Sequence, residues 1–262
     1  MPEQRGARTV TTNQEGLYKD LERVVRKYAG TRFLRPIADH TREAFAKAKE
    51  FVESFYEGRD GTMDVVLDSG CGTGESTFHI AKRFPDMPVI GIDKSAARLE
   101  RNPAGKDSDE TSTAKMSSAK DSVKDVPANA FWIRAELLDF WRLALDEVNA
   151  GRWRIPYHAL YYPNPWPKQS EATRRFHLHP IFPTLLALGQ TTELRTNWEI
   201  YAREFAEAAR VLNETMVGDC FPSSRIAMTI SSEAFTAEQP ITAFERKYKE
   251  ARQQLWRVLV NR

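Results

Sequence analysis

Short apolar runs alternate with stretches of helical periodicity along most of the chain. Tyr201, Phe205, Ala208 and Leu212 recur at helical spacing and predict an amphipathic helix over 198–212. Further helices are predicted at 41–55, 75–84, 137–148 and 180–188, with a short one starting near Ser95. Apolar runs predict strands at about 63–68, 88–93, 131–136, 157–162, 192–196, 225–231 and 255–260. This alternation is typical of an α/β fold with a mostly parallel seven-stranded sheet and helices on both faces.

Two stretches do not follow this alternation. Residues 1–57 comprise a basic N-terminal arm and the first predicted helix, and we expect the first dozen residues to be disordered. The arginines of the arm could contact phosphate or form a solvated surface, and the sequence leaves both open. Residues 101–128 lack apolar periodicity and predict a flexible surface insertion. The chain is therefore predicted to have one main domain over 58–262, interrupted by this insertion.

The first predicted strand runs directly into a glycine-rich turn. Asp68, Gly70, Gly72 and Gly74 give the spacing Asp-x-Gly-x-Gly-x-Gly, and a helix is predicted to follow. Glycine is needed where the backbone turns sharply or where a ligand approaches it closely. The pattern predicts a ligand-binding turn. A generic strand–turn–helix unit without a ligand is the alternative.

Acidic residues follow the next two predicted strands. Asp93 lies about 20 residues beyond the turn, where an acid can accept hydrogen bonds from both ribose hydroxyls of a nucleoside. Glu136 ends the third strand and could accept from the exocyclic amine of an adenine. Asp139 is a rival for that role, although acids near a helix start are also favoured for purely structural reasons. We prefer Glu136 because of its position at the strand end.

A proline-rich segment follows the fourth predicted strand. Proline fixes φ, so the segment 163–167 predicts a stiff loop that presents Asn164 and an aromatic ring. The cations Lys168, Arg174 and Arg175 follow it. Such a loop suits a flipped base and its phosphates, while a plain turn with a solvated basic helix start explains it equally well. Two nearby histidines suit phosphate contact or helix capping better than zinc.

Composition narrows the class of protein further. The 262 residues are 41% hydrophobic and 28% charged, with a net charge of +2. Two cysteines, Cys71 and Cys220, are too few for a disulfide framework or a zinc site. No apolar stretch reaches transmembrane length, and no signal-peptide pattern opens the chain. We therefore expect a cytoplasmic protein without membrane contact and without a metal.

The glycine turn resembles the first motif of class I S-adenosylmethionine-dependent methyltransferases, which have a Rossmann-like fold. Several further segments, in this order, look like the tRNA (guanine-N7-)-methyltransferase family. They are Tyr162–Lys168, Arg174–Arg175, His179–Pro180, Thr196–Tyr201 and Thr242–Lys247. The resemblance covers roughly residues 40–260 without the insertion. It implies methyl transfer from S-adenosylmethionine to N7 of a guanine in tRNA by a monomer or homodimer.

The resemblance also implies roles for individual residues. It assigns Asn164 to catalysis and to cofactor binding. The other implied cofactor ligands are Asp68, Gly70, Gly72, Gly74, Asp93 and Glu136. The implied substrate ligands are Lys168, Arg174, Arg175, Asn197, Thr242, Phe244 and Glu245. Guanine N7 already carries an in-plane lone pair, so the reaction needs no general base.

Two residues depart from the family pattern. Asn164 and Asn197 stand where the family typically carries aspartate. Both changes keep the shape of the side chain and remove a negative charge. The sequence therefore leaves two alternatives beside the tRNA enzyme. One is a related methyltransferase acting on another RNA or a small molecule, and the other is a catalytically weak RNA-binding relative.

Overall fold

The computed structural model describes residues 7, 9–102, 126–216 and 228–262. Most of the predicted insertion lies outside these residues. So do Cys220 and the beginning of the predicted sixth strand, and most of the first eight residues of the arm. Among the described helices, none is long and apolar enough to cross a membrane. No group of three or more metal-ligating side chains occurs in the same described ranges.

An eight-stranded sheet forms the centre of the described chain. Seven of its strands follow the order β4-β3-β2-β5-β6-β8-β7, and the short β1 pairs with β5. The pairs from β4 to β6 are parallel, whereas β8 runs antiparallel to both β6 and β7. The strands are Met63–Asp64, Val66–Ser69, Val89–Asp93, Ala130–Arg134, Trp153–Tyr161, Gly189–Thr196, Thr229–Phe235 and Leu255–Asn261, labelled β1 to β8. The predicted mostly parallel sheet is confirmed, with β1 as an additional two-residue strand.

Helices cover both faces of the sheet. Val65 and Leu67 point into a large core cluster, and the intervening Val66 points into a smaller one on the opposite face. This alternation follows from the two-residue period of a strand. The helices are Leu21–Ala29, Asp39–Phe55, Glu75–Arg83, Ala96–Leu99, Leu137–Asn149, Phe182–Leu188, Glu199–Met216 and Ala243–Glu250, labelled α1 to α8. The α3 residues Ile80 and Ala81 belong to the smaller cluster, while α1, α2, α5, α6 and α7 contribute to the larger.

The sequence did not predict two of these helices. α1 has buried Leu21, Val24 and Val25 on one face, whereas the arginines of the same segment predict a solvated or phosphate-binding arm. α8 begins at the motif Thr242–Lys247, for which the sequence predicts a binding segment and no helix. Because α1 and α2 share the large core cluster with the sheet, the predicted boundary at residue 57 does not separate two cores.

The strand order defines where a ligand can bind. From β2 the chain moves outward through β3 and β4, and then returns to place β5 on the other side of β2. In open α/β sheets such a reversal leaves a crevice outside the carboxyl ends of the strands. The ends of β2 and β5, at Ser69 and Tyr161, therefore mark the candidate site.

Candidate functional site

The glycine turn after β2 has two different uses for its glycines. Gly72 has φ of +63°, its N–H donates to Asp93 Oδ2 at 3.0 Å, and a Cβ at this position would meet nothing within 4 Å. Gly74 has φ of +82°, and a Cβ there would lie 2.3 Å from Trp132 Nε1. The backbone of the turn is therefore open to a ligand at Gly72, whereas a glycine is required at position 74 because Trp132 packs closely against it. Gly74 lines neither of the two cavities of the site.

Asp68 lies beneath this turn. Its Oδ2 accepts hydrogen bonds from Ser76 Oγ at 2.6 Å and Thr77 Oγ1 at 2.7 Å, both in the first turn of α3. Burial raises the pKa of Asp68 to about 6 against the effect of these two donors. Asp68 lines neither cavity. Its contacts fix the start of α3 to the end of β2.

A second buried network under the turn was not predicted from the sequence. Trp141 Nε1 donates to Ser69 Oγ at 2.8 Å, and Ser69 Oγ lies 2.8 Å from His158 Nε2. Burial lowers the pKa of His158 to about 4, so its ring is neutral at pH 7 and Nε2 can accept from the serine hydroxyl. This network holds the residue directly before Gly70.

Two predicted acids border a cavity of about 350 Å³ at the ends of β2, β3 and β4. Asp93 Oδ1 accepts from Ser95 N at 2.8 Å, and Glu136 precedes α5. Both side chains line the cavity, together with Gly70. Asp139 is fully buried and accepts from Ala38 N and from an arginine of the same N-terminal segment. The structure thus brings the preferred acid to the cavity and gives its rival a structural role.

The loop after β5 is bracketed by two residues in the left-handed region. Tyr162 has φ of +51° and Trp166 has φ of +45°. Asn164 is exposed between them, and its Oδ1 accepts from Trp166 N at 3.4 Å. Left-handed φ costs a residue with a Cβ about 1–2 kcal/mol. The surroundings of the loop must therefore hold each of these two residues in place.

A buried cluster holds the Trp166 end, and we call Gln14, Arg175, His177 and Glu204 the Glu204 cluster. Arg175 is fully buried and donates to Glu204 Oε2 at 2.6 Å and to Trp166 O at 2.9 Å. Gln14 and His177 also bond to Glu204, at 2.6 Å and 2.8 Å. The predicted contact of Arg175 with substrate is wrong because its guanidinium is enclosed by these partners.

The pKa values of this cluster follow from burial and charge. Burial alone would raise the pKa of Glu204, but its bonds to His177 and Arg175 outweigh burial and lower that pKa to about 2. Burial lowers the pKa of His177 more than the neighbouring carboxylate raises it. At pH 7 the cluster therefore pairs one guanidinium with one carboxylate.

A different buried cluster holds the Tyr162 end, and we call Glu193, Arg195 and Glu245 the Arg195 cluster. Tyr162 donates from its hydroxyl to Glu245 Oε1 at 3.0 Å, and Arg195 donates to the same oxygen at 2.9 Å. Arg195 also donates to Glu193 Oε1 at 2.7 Å. Glu245 is fully buried and lines neither cavity. The prediction that it contacts substrate directly is wrong, since its carboxylate is occupied inside the protein.

A larger cavity of about 790 Å³ lies on the other side of the Tyr162–Asn164 corner. Phe244 is 50% exposed at its wall and stacks on Tyr248 with an interplanar angle of 20°. Thr242 also lines this cavity, and its side chain accepts from Glu245 N as the N-cap of α8. The cations on its wall are Arg98, Arg101 and Lys247. The two cavities share Gly70, Arg98, Tyr161, Tyr162, Pro163 and Asn164.

Asn197 lies at the wall of the larger cavity beside the N-terminal segment. Its Nδ2 donates to Gln253 Oε1 at 3.1 Å, and Gln253 Nε2 donates to Ala7 O at 2.7 Å. Thr9–Thr11 border the same cavity. An aspartate at 197 could not donate to Gln253, so the asparagine matches its surroundings in this chain.

The remaining predicted residues lie at the periphery. Lys168 is exposed and lines neither cavity. Arg174 is also exposed, borders the smaller cavity and places its guanidinium 4.1 Å from the Trp166 ring centroid. His179 Nδ1 accepts from Ile181 N at 3.1 Å just before α6, but the N-cap of α6 has no side-chain hydrogen bond, and His179 borders the smaller cavity.

The donor set of the smaller cavity fits a nucleoside cofactor. Asp93 and Glu136 place two carboxylates at neighbouring strand ends, and the open backbone of Gly70 forms the wall between the two cavities. A carboxylate has about four acceptor positions, and Asp93 accepts from Gly72 N and from Arg98 NH1 on Oδ2 and from Ser95 N on Oδ1. One acceptor position on Oδ1 therefore remains for a ribose hydroxyl, and a second becomes available if the half-exposed Arg98 side chain moves away.

The family model described as a methyltransferase domain matches residues 61–119, which include the glycine turn and β3. With the sheet order and the site at the ends of its parallel strands, this match supports a class I methyltransferase that uses S-adenosylmethionine.

Two sequence relatives and one solved structure show where further similarity lies. A tRNA (guanine-N(7)-)-methyltransferase of Mycolicibacterium gilvum (strain PYR-GCK) is 29% identical over 191 residues, which cover 70% of this chain and 62% of the relative. A trans-aconitate 2-methyltransferase of Deinococcus radiodurans is 56% identical over 36 residues, or 14% of each chain. The solved structure of an antibiotic-related methyltransferase aligns with a TM-score of 0.47 at 12% identity, covering 89% of this chain and 98% of that one.

Proposed function

We propose that the protein transfers a methyl group from S-adenosylmethionine to N7 of a guanine in tRNA. The smaller cavity holds the cofactor, with Asp93 at the ribose and Glu136 at the adenine. The larger cavity holds the guanine. The observation that carries the proposal is that the two cavities meet at the Tyr162–Asn164 corner. A methyl group bound on one side of this corner can face a nucleophile on the other.

The wall of the larger cavity suits a nucleotide. The exposed ring of Phe244 can stack on a flipped base. Three cations on the same wall can contact phosphate, and those contacts position a nucleic acid without reading its sequence. A small carboxylic acid would use the cations and leave the aromatic surface without a partner.

One of the relatives, together with the motif order, supports the same substrate. The M. gilvum protein is named for guanine-N7 methylation of tRNA, and its match spans most of this chain. The proposal includes tRNA as partner, a cytoplasmic location and a monomer or homodimer. This chain spans 62% of the length of that relative, so the substrate and partners of the whole relative are proposals for this chain.

The chemistry needs little from the protein beyond orientation. S-adenosylmethionine supplies an electrophilic methyl group on a sulfonium. Since N7 carries its own lone pair, the residues of the chain need remove no proton before attack. Tyr162 and Asn164 align the two cavities, and the product ring gains positive charge. A neutral amide at 164 stabilises that charge less than a carboxylate would.

This neutral amide favours one alternative, a related methyltransferase whose RNA or small-molecule substrate presents an acceptor to Asn164. A catalytically weak RNA-binding relative is the other alternative. Mass spectrometry of nucleosides tests the tRNA assignment against both alternatives. Bulk tRNA lacking 7-methylguanosine is incubated with the protein and a donor carrying a deuterated methyl group, and Asp93→Ala serves as the matched control.

The proposal predicts deuterated 7-methylguanosine in the wild-type reaction and a strongly reduced amount with Asp93→Ala. Deuterium in another nucleoside would support a different RNA target. Labelling of no nucleoside, while calorimetry shows that S-adenosylmethionine binds, would overturn the tRNA assignment.

A further inference from the structure

Tyr162 occupies an unusual position in the molecule. Its ring borders both cavities, and its backbone adopts φ of +51° where the chain leaves β5. The left-handed region is disfavoured for a residue with a Cβ, and above all for a bulky one. Whatever holds Tyr162 in this conformation also sets the direction of Pro163 and Asn164.

The side chain of Tyr162 is held by a buried carboxylate. Its hydroxyl donates to Glu245 Oε1 at 3.0 Å, and Ile241 N donates to Glu245 Oε2 at 2.8 Å. Glu245 is fully buried. A buried carboxylate needs a cation or several donors to remain ionised, and Arg195 is the cation in contact with it, at 2.9 Å.

Arg195 has a geometry that a simple counter-ion does not need. Its Nε donates to Glu193 on its own strand, and its NH1 donates to Glu245 on α8. Its guanidinium carbon lies 4.4 Å from the ring centroid of Tyr161. One side chain thus connects β6, α8 and Tyr161, and through Glu245 it reaches Tyr162, the other tyrosine that both cavities share. A planar guanidinium can bridge two carboxylates in this way, and a lysine ammonium cannot do so with the same directionality.

We propose that Arg195 is a positioning residue for methyl transfer: through Glu245 it fixes Tyr162, and with it the corner that separates cofactor from substrate. Arg195 and Glu193 lie outside every motif that carried the family resemblance. The inference rests on the proposed function only in naming the reaction, since the anchoring of Tyr162 is a property of the fold.

Three variants test this role. Tyr162→Phe removes only the hydroxyl, and Arg195→Lys keeps the charge while removing the bridge. Tyr56→Phe is the matched control, because Tyr56 also loses one hydrogen bond, to Asp64 O, at a distance from both cavities. We expect kcat for tRNA methylation to fall about tenfold in the first two variants, as a misaligned reacting pair would cause. The Kd for S-adenosylmethionine, measured by calorimetry, should stay within about twofold because the ribose and adenine contacts are untouched.

Hydrogen–deuterium exchange gives a readout that does not depend on the substrate. Exchange should become faster in peptides covering 162–168 and 241–250 in Tyr162→Phe and Arg195→Lys, and not in Tyr56→Phe. If the wild-type protein methylates no tRNA but this exchange pattern appears, the proposed function fails and the positioning role stands. Unchanged exchange in these segments, or an equal loss of kcat in Tyr56→Phe, would overturn the positioning role.

Discussion

The two buried clusters that hold the loop after β5 differ in charge balance and in position. In the Glu204 cluster one carboxylate faces one guanidinium, and the cluster lies under Trp166 between α7 and the N-terminal segment. In the Arg195 cluster two carboxylates share one guanidinium, and the cluster lies under Tyr162 at the junction of the two cavities. Each cluster holds one of the two left-handed residues that bracket Asn164.

The difference in charge balance predicts which property each cluster mainly controls, the stability of the fold or the rate of methyl transfer. Removing the single carboxylate of a matched pair leaves a buried cation without a counter-charge, which is costly. Removing one of two carboxylates leaves the guanidinium with a partner. We therefore expect mutations in the Glu204 cluster to act mainly on the free energy of unfolding, and mutations in the Arg195 cluster to act mainly on kcat.

The largest effect is expected for Glu204→Gln. The change should lower the free energy of unfolding by about 3–5 kcal/mol, since Arg175 would stay buried without its counter-charge. Urea denaturation measures this. Glu207→Gln is the control on the same helix, because Glu207 pairs with Arg210 at the surface and its loss should cost less than about 1 kcal/mol. Equal costs for the two variants would contradict the distinction between the clusters.

The pH dependence of stability tests whether ionised Glu204 stabilises the folded state. The pKa of Glu204 is lowered from 4.5 to about 2, so its ionised form stabilises the folded state. This contribution is fully present above pH 4.5 and is lost as the pH falls toward 2. The difference in unfolding free energy between wild type and Glu204→Gln should therefore shrink between pH 5 and pH 3. A difference that stays constant over this range would show that the fold does not lower the pKa of Glu204.

Asn164→Asp should change rate and leave stability nearly unchanged. The side chain is exposed, and an aspartate can still accept from Trp166 N. A carboxylate beside the developing cation should stabilise the transition state by about 1–3 kcal/mol, or roughly ten- to hundredfold in kcat. Single-turnover methylation of tRNA measures it. Loss of a native activity would instead show that the asparagine amide donates a bond to the substrate, which favours the alternative of another substrate.

Glu193→Gln should cost only about 1 kcal/mol of stability, because Arg195 retains Glu245 and a glutamine oxygen can still accept the bond from Arg195. The glutamine amide can donate to the Tyr157 hydroxyl, which in wild type donates to Glu193 Oε2. Urea denaturation of Glu193→Gln and Glu204→Gln under the same conditions compares their losses of unfolding free energy. A cost as large as that of Glu204→Gln would remove the difference between the clusters.

The smallest effect is expected for Arg174→Ala. Arg174 is exposed and forms a surface ion pair with Glu171 at 3.0 Å, so stability should change by less than about 1 kcal/mol. If Arg174 contacts a phosphate of tRNA, the slope of log affinity against log salt should decrease by about 1. An unchanged slope would remove Arg174 from the substrate contacts.

The fold and the position of Asp93 and Glu136 beside one cavity could be predicted because they depend on local patterns. Strand ends, glycine turns and strand-end acids such as Asp93 can each be recognised from a few consecutive residues. The two buried clusters depend on residues far apart in sequence, such as Gln14 with Glu204 and Arg195 with Glu245, and no local pattern pairs them.

Two signals in the sequence did point to the clusters. Glu204 stands on the apolar face of its helix, three residues after Tyr201, where a charge must be paired. Glu193 and Arg195 are opposite charges two residues apart on one face of a buried strand. Arg175 was misassigned because a doublet of arginines resembles a phosphate site in sequence, and only the fold shows that one of them points inward.

Hydrogen–deuterium exchange with each ligand in turn shows whether cofactor and substrate occupy different cavities. S-adenosylhomocysteine should slow exchange in 93–95 and 136–138, at the ends of β3 and β4, and leave α8 unchanged. Addition of tRNA should then slow exchange in α8, over Ala243–Glu250. Protection of α8 by S-adenosylhomocysteine alone, or no protection of α8 by tRNA, would contradict the assignment of cofactor and substrate to the two sides of Tyr162.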